Sequence, residues 1–280
     1  MKKIFVLAIV LVTLIAANAF CLDIEIMMPA LKESKKGISV IFASIDKDLS
    51  TAAGELSRID LKGEDARKIL SEMYKGKNYV VDCVIVDTAS KMAVIEPEEY
   101  RKYEGSDISK QAHVIKLLKD KKPIFSDVFT SVEGLKVIDF AYPIFSDKGE
   151  FLGSVNMLVK QQALSEDVIV PLVSGLACKA WIMQRDGLII YDQDQNQIGL
   201  NIFADTFFQP FEGLVSFSRT VAMAKDGAGS YDFYKKGLDD QAVVKKYAVW
   251  DTVSLYGTEW RIIVMEADKP APGKKDEARP

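Results

Sequence analysis

The sequence predicts an α+β fold in which a long N-terminal helix precedes two similar modules, each built on an antiparallel sheet. The clearest of three observations is a strand–turn–strand pattern. It places strands at Ala180–Met183 and Leu188–Tyr191 around the tight turn Arg185-Asp186-Gly187. An Asp-Gly pair between apolar runs is a strong hairpin signal, because glycine adopts the positive φ that such a turn requires.

The second observation is that this pattern recurs upstream. Val80–Val86 and Met92–Ile95 predict two strands around the turn Asp87-Thr88-Ala89-Ser90. Each hairpin leads through a polar stretch into a related closing segment, Gly105-Ser106-Asp107-Ile108 in the first copy and Gly199-Leu200-Asn201-Ile202 in the second. We therefore expect that one module occurs twice.

The third observation is an apolar stripe near the N-terminus, in a helical region predicted at 20–78. After a short lead-in at Phe20–Pro29, apolar residues recur at spacings of three, four and seven, which is typical of one face of a long amphipathic helix. The stripe consists of Leu31, Ile38, Ile41, Ile45, Leu49, Ala52, Leu56 and Ile59. A second helix is predicted at Glu64–Tyr74.

The first module is predicted at 79–160. Its hairpin is followed by a polar helix, Ser109–Lys119, whose buried side is predicted to be Ala112, Ile115, Leu117 and Leu118. Three strands complete it, at Ile124–Thr130, Lys136–Phe145 and Phe151–Leu158. Successive antiparallel hairpins with nearby helices imply a sheet that is covered on one face.

A linker at 161–177, interrupted by Pro171, leads into the second module at 178–267. After its hairpin we predict a helical segment around Phe207–Ala224 and a turn at Gly227-Ala228-Gly229. The remaining strands are predicted at Ser230–Tyr234, Val243–Val253 and Trp260–Met265. The tail 268–280 lacks an apolar period, which predicts disorder.

The first 19 residues have the features of a secretory signal peptide. Lys2 and Lys3 precede the short apolar run Ile4–Ala17, and Ala17-Asn18-Ala19 supplies a small-x-small cleavage site. Cys21 raises the alternative of a lipoprotein, although bulky Phe20 precedes it. We therefore expect a soluble periplasmic or secreted protein. Cleavage would leave 34 basic and 40 acidic residues, a net charge of −6, which gives no support to nucleic-acid binding.

Several kinds of chemistry find no support in the sequence. The three cysteines form no CxxC motif, and Cys83 and Cys178 lie in predicted strands, where buried free thiols are favoured over a disulfide. His113 is the only histidine, and no nucleophile–base pair is visible. The acids Asp186, Asp192 and Asp194 invite a calcium-site hypothesis, but the full calcium-loop pattern is missing and solvated turn acids are favoured. We predict no catalytic residues, no metal site and no cofactor.

The order and spacing of several strand-and-turn stretches resemble the double Cache family of extracytoplasmic sensor domains, over roughly residues 30–266. These stretches are Lys122-Pro123-Ile124-Phe125-Ser126, Ala141-Tyr142-Pro143-Ile144-Phe145, Gly149-Glu150-Phe151-Leu152-Gly153-Ser154, Asp186-Gly187-Leu188-Ile189-Ile190-Tyr191-Asp192, Gly199-Leu200-Asn201-Ile202 and Gly257-Thr258-Glu259-Trp260-Arg261. The resemblance implies two PAS-like modules in tandem and a small organic ligand inside the first, membrane-distal one.

In the family, amino-acid binding is associated with an Arg-x-Trp-aromatic motif and with an Asp on the last strand that holds the ligand's amino group. Here the matching positions carry Lys110-Gln111-Ala112-His113-Val114 and Asn156. The resemblance therefore does not extend to the amino-acid clamp, and the ligand class stays open.

A ligand pocket needs a few convergent polar groups in an aromatic and apolar lining. The candidate ligand-binding residues of the first module are Tyr100, Tyr103, His113, Phe125, Ser126, Asp127, Tyr142 and Asn156. Each also has a simpler interpretation as a core or surface residue. Strand alternation places Tyr142 and Asn156 on one interior face. The second module is expected to bind nothing, because Trp181, Tyr191 and Trp250 should fill its interior.

Two functions follow as hypotheses. The first is a periplasmic sensor module that binds a small organic ligand and acts with a separate membrane-bound receptor or kinase, since the sequence ends after the second module. The alternative is a scaffold or interaction protein whose modules bind no ligand. A polar cavity in the first module would favour the sensor, and a first module filled with apolar side chains would favour the scaffold.

Overall fold

The computed structural model describes residues 2–235 and 242–266, with side chains for nearly all residues from 24 onward. Five α-helices lie at α1 (Lys2–Leu56), α2 (Glu64–Tyr74), α3 (Ala112–Asp120), α4 (Gln161–Val173) and α5 (Glu212–Met223). α1 includes both the predicted signal peptide and the expected lead-in Phe20–Pro29, so the helix begins earlier than the apolar stripe indicates. The predicted disordered tail lies outside the described residues.

Eleven strands are described, six of them in the first sheet. These six are β1 (Val80–Asp87), β2 (Met92–Glu96), β3 (Ile124–Phe125), β4 (Phe129–Thr130), β5 (Lys136–Phe145) and β6 (Phe151–Val159). The second sheet contains β7 (Cys178–Gln184), β8 (Ile189–Asp192), β9 (Gly227–Tyr234), β10 (Val243–Leu255) and β11 (Thr258–Glu266). The sheet orders are β2-β1-β6-β5-β3, with β4 also on β5, and β8-β7-β11-β10-β9.

The chain divides into two compact units, each of which contains one sheet. The first unit consists of Lys35–Ile169 and Val253–Trp260. The second contains the described residues up to Ser34, from Val170 to Thr252 and from Arg261 onward. The tip of the β10–β11 hairpin thus belongs to the first unit, although its sequence position places it in the second module.

The first unit packs an aromatic cluster between α1 and its sheet. The rings of Phe125 and Phe140 stack with centroids 4.5 Å apart, and Phe42 of α1 meets both rings edge-on. Trp260, from the hairpin tip, lies 5.2 Å from the Phe42 ring and is fully buried. The buried stripe of α1 therefore runs through Phe42, whereas the predicted members Ile41 and Ile59 are only half-buried.

Three other local predictions are corrected. Pro171 was expected to interrupt the linker, but it lies inside α4, which continues past it to Val173. The predicted strand 124–130 is split into β3 and β4. The predicted turn Gly227-Ala228-Gly229 belongs to β9, where Gly227 pairs with Trp250 of β10. A Cβ at Gly227 would lie 2.4 Å from the Trp250 ring, so glycine permits this close packing.

Candidate ligand-binding site

Two aspartates face the same side of the first sheet. Asp82 of β1 and Asp139 of β5 each pair with Leu158 of β6, which lies between them. Directly opposed residues of an antiparallel sheet point to the same face, so both carboxylates flank Leu158 on one surface. Both side chains are buried. A carboxylate in an otherwise apolar strand is costly to bury unless a partner satisfies it.

A short polar network surrounds Asp139. Asn156 of β6 donates from Nδ2 to Asp139 Oδ2 at 2.6 Å, and Ser154 donates from Oγ to Asn156 Oδ1 at 2.7 Å. His113 of α3 places Nε2 3.4 Å from the same Asp139 oxygen. The His113 ring also lies 4.3 Å, between centroids, from that of Phe129. These contacts hold Oδ2 of Asp139 in place.

Five buried carboxylate oxygens have no hydrogen-bond partner among the described residues. They are both oxygens of Asp82, both of Glu133 and Oδ1 of Asp139. Glu133 lies in the turn between β4 and β5. Buried polar atoms in proteins are usually satisfied, and a group of unsatisfied ones at one place requires an explanation.

The pKa values at this site shift in the direction that burial dictates. Burial, with the negative charges of Glu133 and Asp139, raises the pKa of Asp82 well above its usual value. Burial raises the pKa of Asp139 to about 7, against the hydrogen bond from Asn156, which lowers it. Burial lowers the pKa of His113 to about 4, so the imidazole is neutral near pH 7. Near neutral pH burial therefore favours the protonated form of Asp82, Asp139 is partly protonated, and the neutral His113 contributes no cation to the site.

These groups line a small cavity. Its volume is about 20 Å³, which is room for about one water molecule. The lining consists of Asp82, Val84, Met92, Ile108, Gln111, His113, Phe129, Ser131, Val132, Glu133, Asp139, Asn156 and Leu158. The cavity is therefore small, and three carboxyl side chains contribute to its lining. No cluster of His, Cys, Asp and Glu with the geometry of a metal site occurs among the described residues.

Comparison with known proteins places this geometry in a sensor fold. Residues 40–161 match the family model described as "HK/GC/Chemotaxis protein-like, sensor domain". An extracellular ligand-binding receptor from Desulfohalobium retbaense superposes with a TM-score of 0.73 and 28% identity, over 86% of this chain and 40% of the receptor. The chain therefore spans less than half the length of that relative.

Two further solved structures match the chain over most of their own length. The periplasmic sensory domain of the Campylobacter jejuni chemoreceptor Tlp1 gives a TM-score of 0.64 at 17% identity, over 90% of this chain and 98% of that domain. The ligand-binding domain of the Pseudomonas aeruginosa amino acid chemoreceptor PctB, in complex with L-arginine, gives 0.61 at 14%, over 86% and 93%. The chain has a double Cache fold.

The double Cache fold confirms the predicted α+β architecture of two tandem PAS-like modules. The match of residues 40–161 to a sensor-domain model agrees with the predicted sensor class. A search of curated protein sequences gives no significant match. Among the described residues, no helix combines the length and the apolar character that a membrane span requires. Cys83 and Cys178 are buried free thiols, as the sequence favours.

Only two of the eight predicted site residues line the acidic cavity, His113 and Asn156. Phe125 belongs to the aromatic cluster. Ser126 is buried but hydrogen-bonds to backbone, donating to Asp127 O and accepting from Asp139 N at 2.8 Å each. The Asp127 side chain is exposed.

The three predicted tyrosines lie outside the cavity. Tyr100 and Tyr103 are half-buried in the 3₁₀ helix Glu98–Tyr103 and pack against apolar residues of β1 and β2. Tyr142 pairs with Val155, whereas Asn156 pairs with Ala141. Tyr142 and Asn156 therefore point to opposite faces, and the expectation of a shared interior face is wrong by one register position.

Sequence reasoning missed the acids that define the site. Asp82 and Asp139 each interrupt an apolar strand, Val-Val-Asp-Cys-Val and Val-Ile-Asp-Phe-Ala. That interruption was the available signal, because an ionisable residue rarely occurs in a buried strand without a partner. The predicted buried side of α3 was also displaced. Val114 and Leu117 are its buried residues, and Ile115 is exposed. The face that carries His113 and Val114 therefore turns inward.

Proposed function

We propose that the chain is an exported double Cache sensor module whose first unit binds a small amine and acts with a separate signalling partner, without a catalytic step. One observation carries the proposal. Asp82, Glu133 and Asp139 present five buried carboxylate oxygens that no described residue satisfies. Their negative charge and hydrogen-bonding capacity are what a ligand ammonium group complements.

An ammonium group fits this site better than a neutral ligand does. It carries a positive charge and three N–H donors, whereas a carboxylate is an acceptor only. Binding a cation would favour the ionised acids, whose raised pKa values show that ionisation is now opposed by burial. The replaced clamp at Lys110–Val114 is compatible with an amine that lacks a carboxylate. The solved chemoreceptor domains bound to L-arginine, GABA and isoleucine all hold ligands with an amino group.

The cavity of about 20 Å³ cannot hold a whole organic amine. One of its walls must therefore move on binding. The turn between β4 and β5 is the wall best suited to this, because it is neither helix nor sheet and its Val132 side chain is 38% exposed. Since the same turn carries Glu133, its movement would bring a carboxylate against the ligand.

The test is calorimetric titration with 1,4-diaminobutane and ethylamine, with acetamide as the neutral control. We expect an amine to bind, and Asp82→Asn and Asp139→Asn each to weaken binding at least tenfold. Asp127→Asn is the matched control, because its exposed carboxylate lies outside the cavity. Equal binding of acetamide, or unchanged amine affinity in both variants, would refute an amine site here.

The scaffold alternative retains one favourable observation, the small volume of this cavity. If no amine, amino acid or other metabolite binds the first unit at millimolar concentration, the scaffold becomes the better hypothesis. The acidic lining favours the sensor, because an interaction scaffold gains nothing from unsatisfied buried carboxylates.

A further inference from the structure

The second unit contains a much larger cavity than the first. Its volume is about 580 Å³, within the roughly 300–1,000 Å³ range of small-molecule sites. The sheet supplies Trp181 and Phe233 to its lining, and α5 and the 3₁₀ helix Thr206–Phe208 supply Leu214 and Phe208. Trp181 was expected to help fill the interior of this module, and it lines the cavity instead.

The wall of this cavity has an apolar part and a polar part. The rings of Trp181, Phe208 and Phe233 form the apolar part, and each of these side chains is at most 4% exposed. The polar part is the segment Gln193–Gln197, which follows β8 and has three of its five side chains exposed. A largely apolar wall with a few placed polar groups is the usual composition of a small-molecule site, and here the polar groups lie toward solvent.

The charged side chains of the lining compensate one another. Lys179 and Lys246 supply two cations, and Asp192 and Asp194 supply two carboxylates. Burial raises the pKa of Asp192 to about 7, although the positive charges of both lysines act to lower it. At pH 8 Asp192 is therefore mostly ionised, and the four groups together carry no net charge. A ligand with a net charge would upset this balance in a partly desolvated site, whereas an uncharged ligand would leave it intact.

One hydrogen-bond donor of the wall is left without a partner. The indole N–H of Trp181 is buried, and no described residue accepts a hydrogen bond from it. Trp181 of β7 is paired directly with Asp192 of β8, so the indole and the carboxyl group lie on the same face of the sheet. Because buried donors in proteins are usually satisfied, an oxygen acceptor on a ligand would complete this part of the wall.

We propose that the second-unit cavity binds a small uncharged molecule with an aromatic body and a carbonyl group. The ring of the ligand lies against Phe208 and Phe233, where aromatic pairs gain from edge-on or offset contact. Its carbonyl oxygen accepts from Nε1 of Trp181. The site shares no residue with the acidic cavity of the first unit. The second module, which was expected to bind nothing, then has a ligand of its own.

The test is titration of the full chain at pH 8 with indole-3-acetamide, indole-3-acetate and 3-methylindole. These three compounds share one ring system, but the acetate carries a charge and 3-methylindole lacks the acceptor. We expect the amide to raise the melting temperature and to bind at least tenfold more tightly than either of the others. No melting shift with the amide, or an acetate or 3-methylindole affinity equal to that of the amide or higher, would overturn the proposal.

Trp181→Phe tests the hydrogen bond, because it removes the indole N–H and keeps an aromatic ring. It should weaken amide binding at least fivefold and leave the affinity for 3-methylindole unchanged. Trp250→Phe is the matched control, since the Trp250 indole donates to Ala224 O and lies outside the lining. This control should not change amide affinity. An equal loss of amide and 3-methylindole affinity in Trp181→Phe would refute the hydrogen bond.

Asp192→Asn tests the charge balance, because it removes the carboxylate that acts on Lys179 and Lys246. The affinity ratio of acetate to amide should rise at least tenfold in this variant, and an unchanged ratio would contradict the balance. If Trp181→Phe does not fold, Asp192→Asn and the three-compound comparison on the parent chain decide the matter. Asp82→Asn in the first unit should leave amide binding intact while it weakens amine binding, so the two proposed sites can fail separately.

Discussion

At the scale of single residues, Asp139 should make the chain less stable as the pH rises. Its pKa is raised to about 7 in the native state, against 3.8 as the usual value. Between these values the native state holds a proton that the unfolded state has released, so stability is greatest below pH 4 and is lost as pH rises through 7. Asp139→Asn should therefore stabilise the apo chain by about 1–3 kcal/mol at pH 8 and by little at pH 4.

Urea unfolding of parent and variant at the two pH values measures this difference, with Asp127→Asn as the control. A destabilised Asp139→Asn at pH 8 would show that the carboxylate is satisfied in solution. Gained stability together with lost amine affinity would assign the residue a ligand role that structure alone does not require.

The same raised pKa values predict how pH affects ligand binding. To hold an ammonium group, Asp82 and Asp139 must release the protons that burial favours. A primary amine stays protonated well above pH 8, so only the site titrates in this range. Amine affinity should rise from pH 6 to pH 8, and calorimetry in buffers of different ionisation enthalpy should detect proton release. An affinity that is flat or that falls over this range would contradict the assignment.

The positions of Asp82 and Asp139 in their strands could be predicted from the sequence, but their proximity to each other could not. Strand period places Asp82 and Asp139 among buried neighbours, but it does not reveal that both oppose Leu158. That relation depends on the register of three strands, which is set by turn geometry and packing across the sheet. The assignment of Tyr142 and Asn156 to one face failed for the same reason.

At the scale of elements, Arg261 of β11 should hold the end of α5. It is almost fully buried, and its Nε donates to Val221 O at 2.9 Å and to Ala224 O at 3.2 Å. Its Nη2 donates to Ala222 O at 3.2 Å. The last carbonyls of a helix have no partner within the helix, and a cation there also complements the helix dipole.

Arg261→Met should therefore lower the free energy of unfolding by about 1–3 kcal/mol, because the buried Val221 O loses its side-chain donor, whereas Ala222 O and Ala224 O keep the donors Arg185 Nε and Trp250 Nε1. Arg58→Met is the control, since Arg58 forms only an exposed ion pair with Asp147 and should change stability by less than about 1 kcal/mol. Denaturant unfolding of both variants is the measurement. Equal effects of the two substitutions would refute the capping role.

Most elements could be predicted because periodicity and turn residues are local. Lys136–Phe145 and Glu64–Tyr74 have the predicted bounds. The Asp-Gly turn has Gly187 at a φ of 92°, as its sequence requires. Departures arose where tertiary packing overrides local preference. The local sequence around Gly227 predicts a turn, but Gly227 lies in β9, where the absence of a side chain leaves space for the Trp250 ring.

At the scale of the whole molecule, repetition in the sequence predicts two modules, and the structure has two sheets. What the sequence order does not show is that Val253–Trp260 belongs to the first unit. Trp260 begins the last strand predicted for the second module, and in the structure it completes the Phe42 and Phe125 cluster of the first unit. Such a contact joins segments more than 130 residues apart in the chain, beyond the reach of any local pattern.

Export of the chain is a separate prediction at this scale. Because Ala17 and Ala19 are the small residues of a cleavage site, we expect the mature protein to begin at Phe20. Intact mass spectrometry of the secreted or periplasmic chain measures this directly. Ala19→Arg should block cleavage, because the site requires a small side chain, whereas Asn18→Gln between the two alanines should be cleaved normally. A parent chain that keeps residues 1–19 would refute the signal peptide, and a lipid mass on Cys21 would replace it with a lipoprotein anchor.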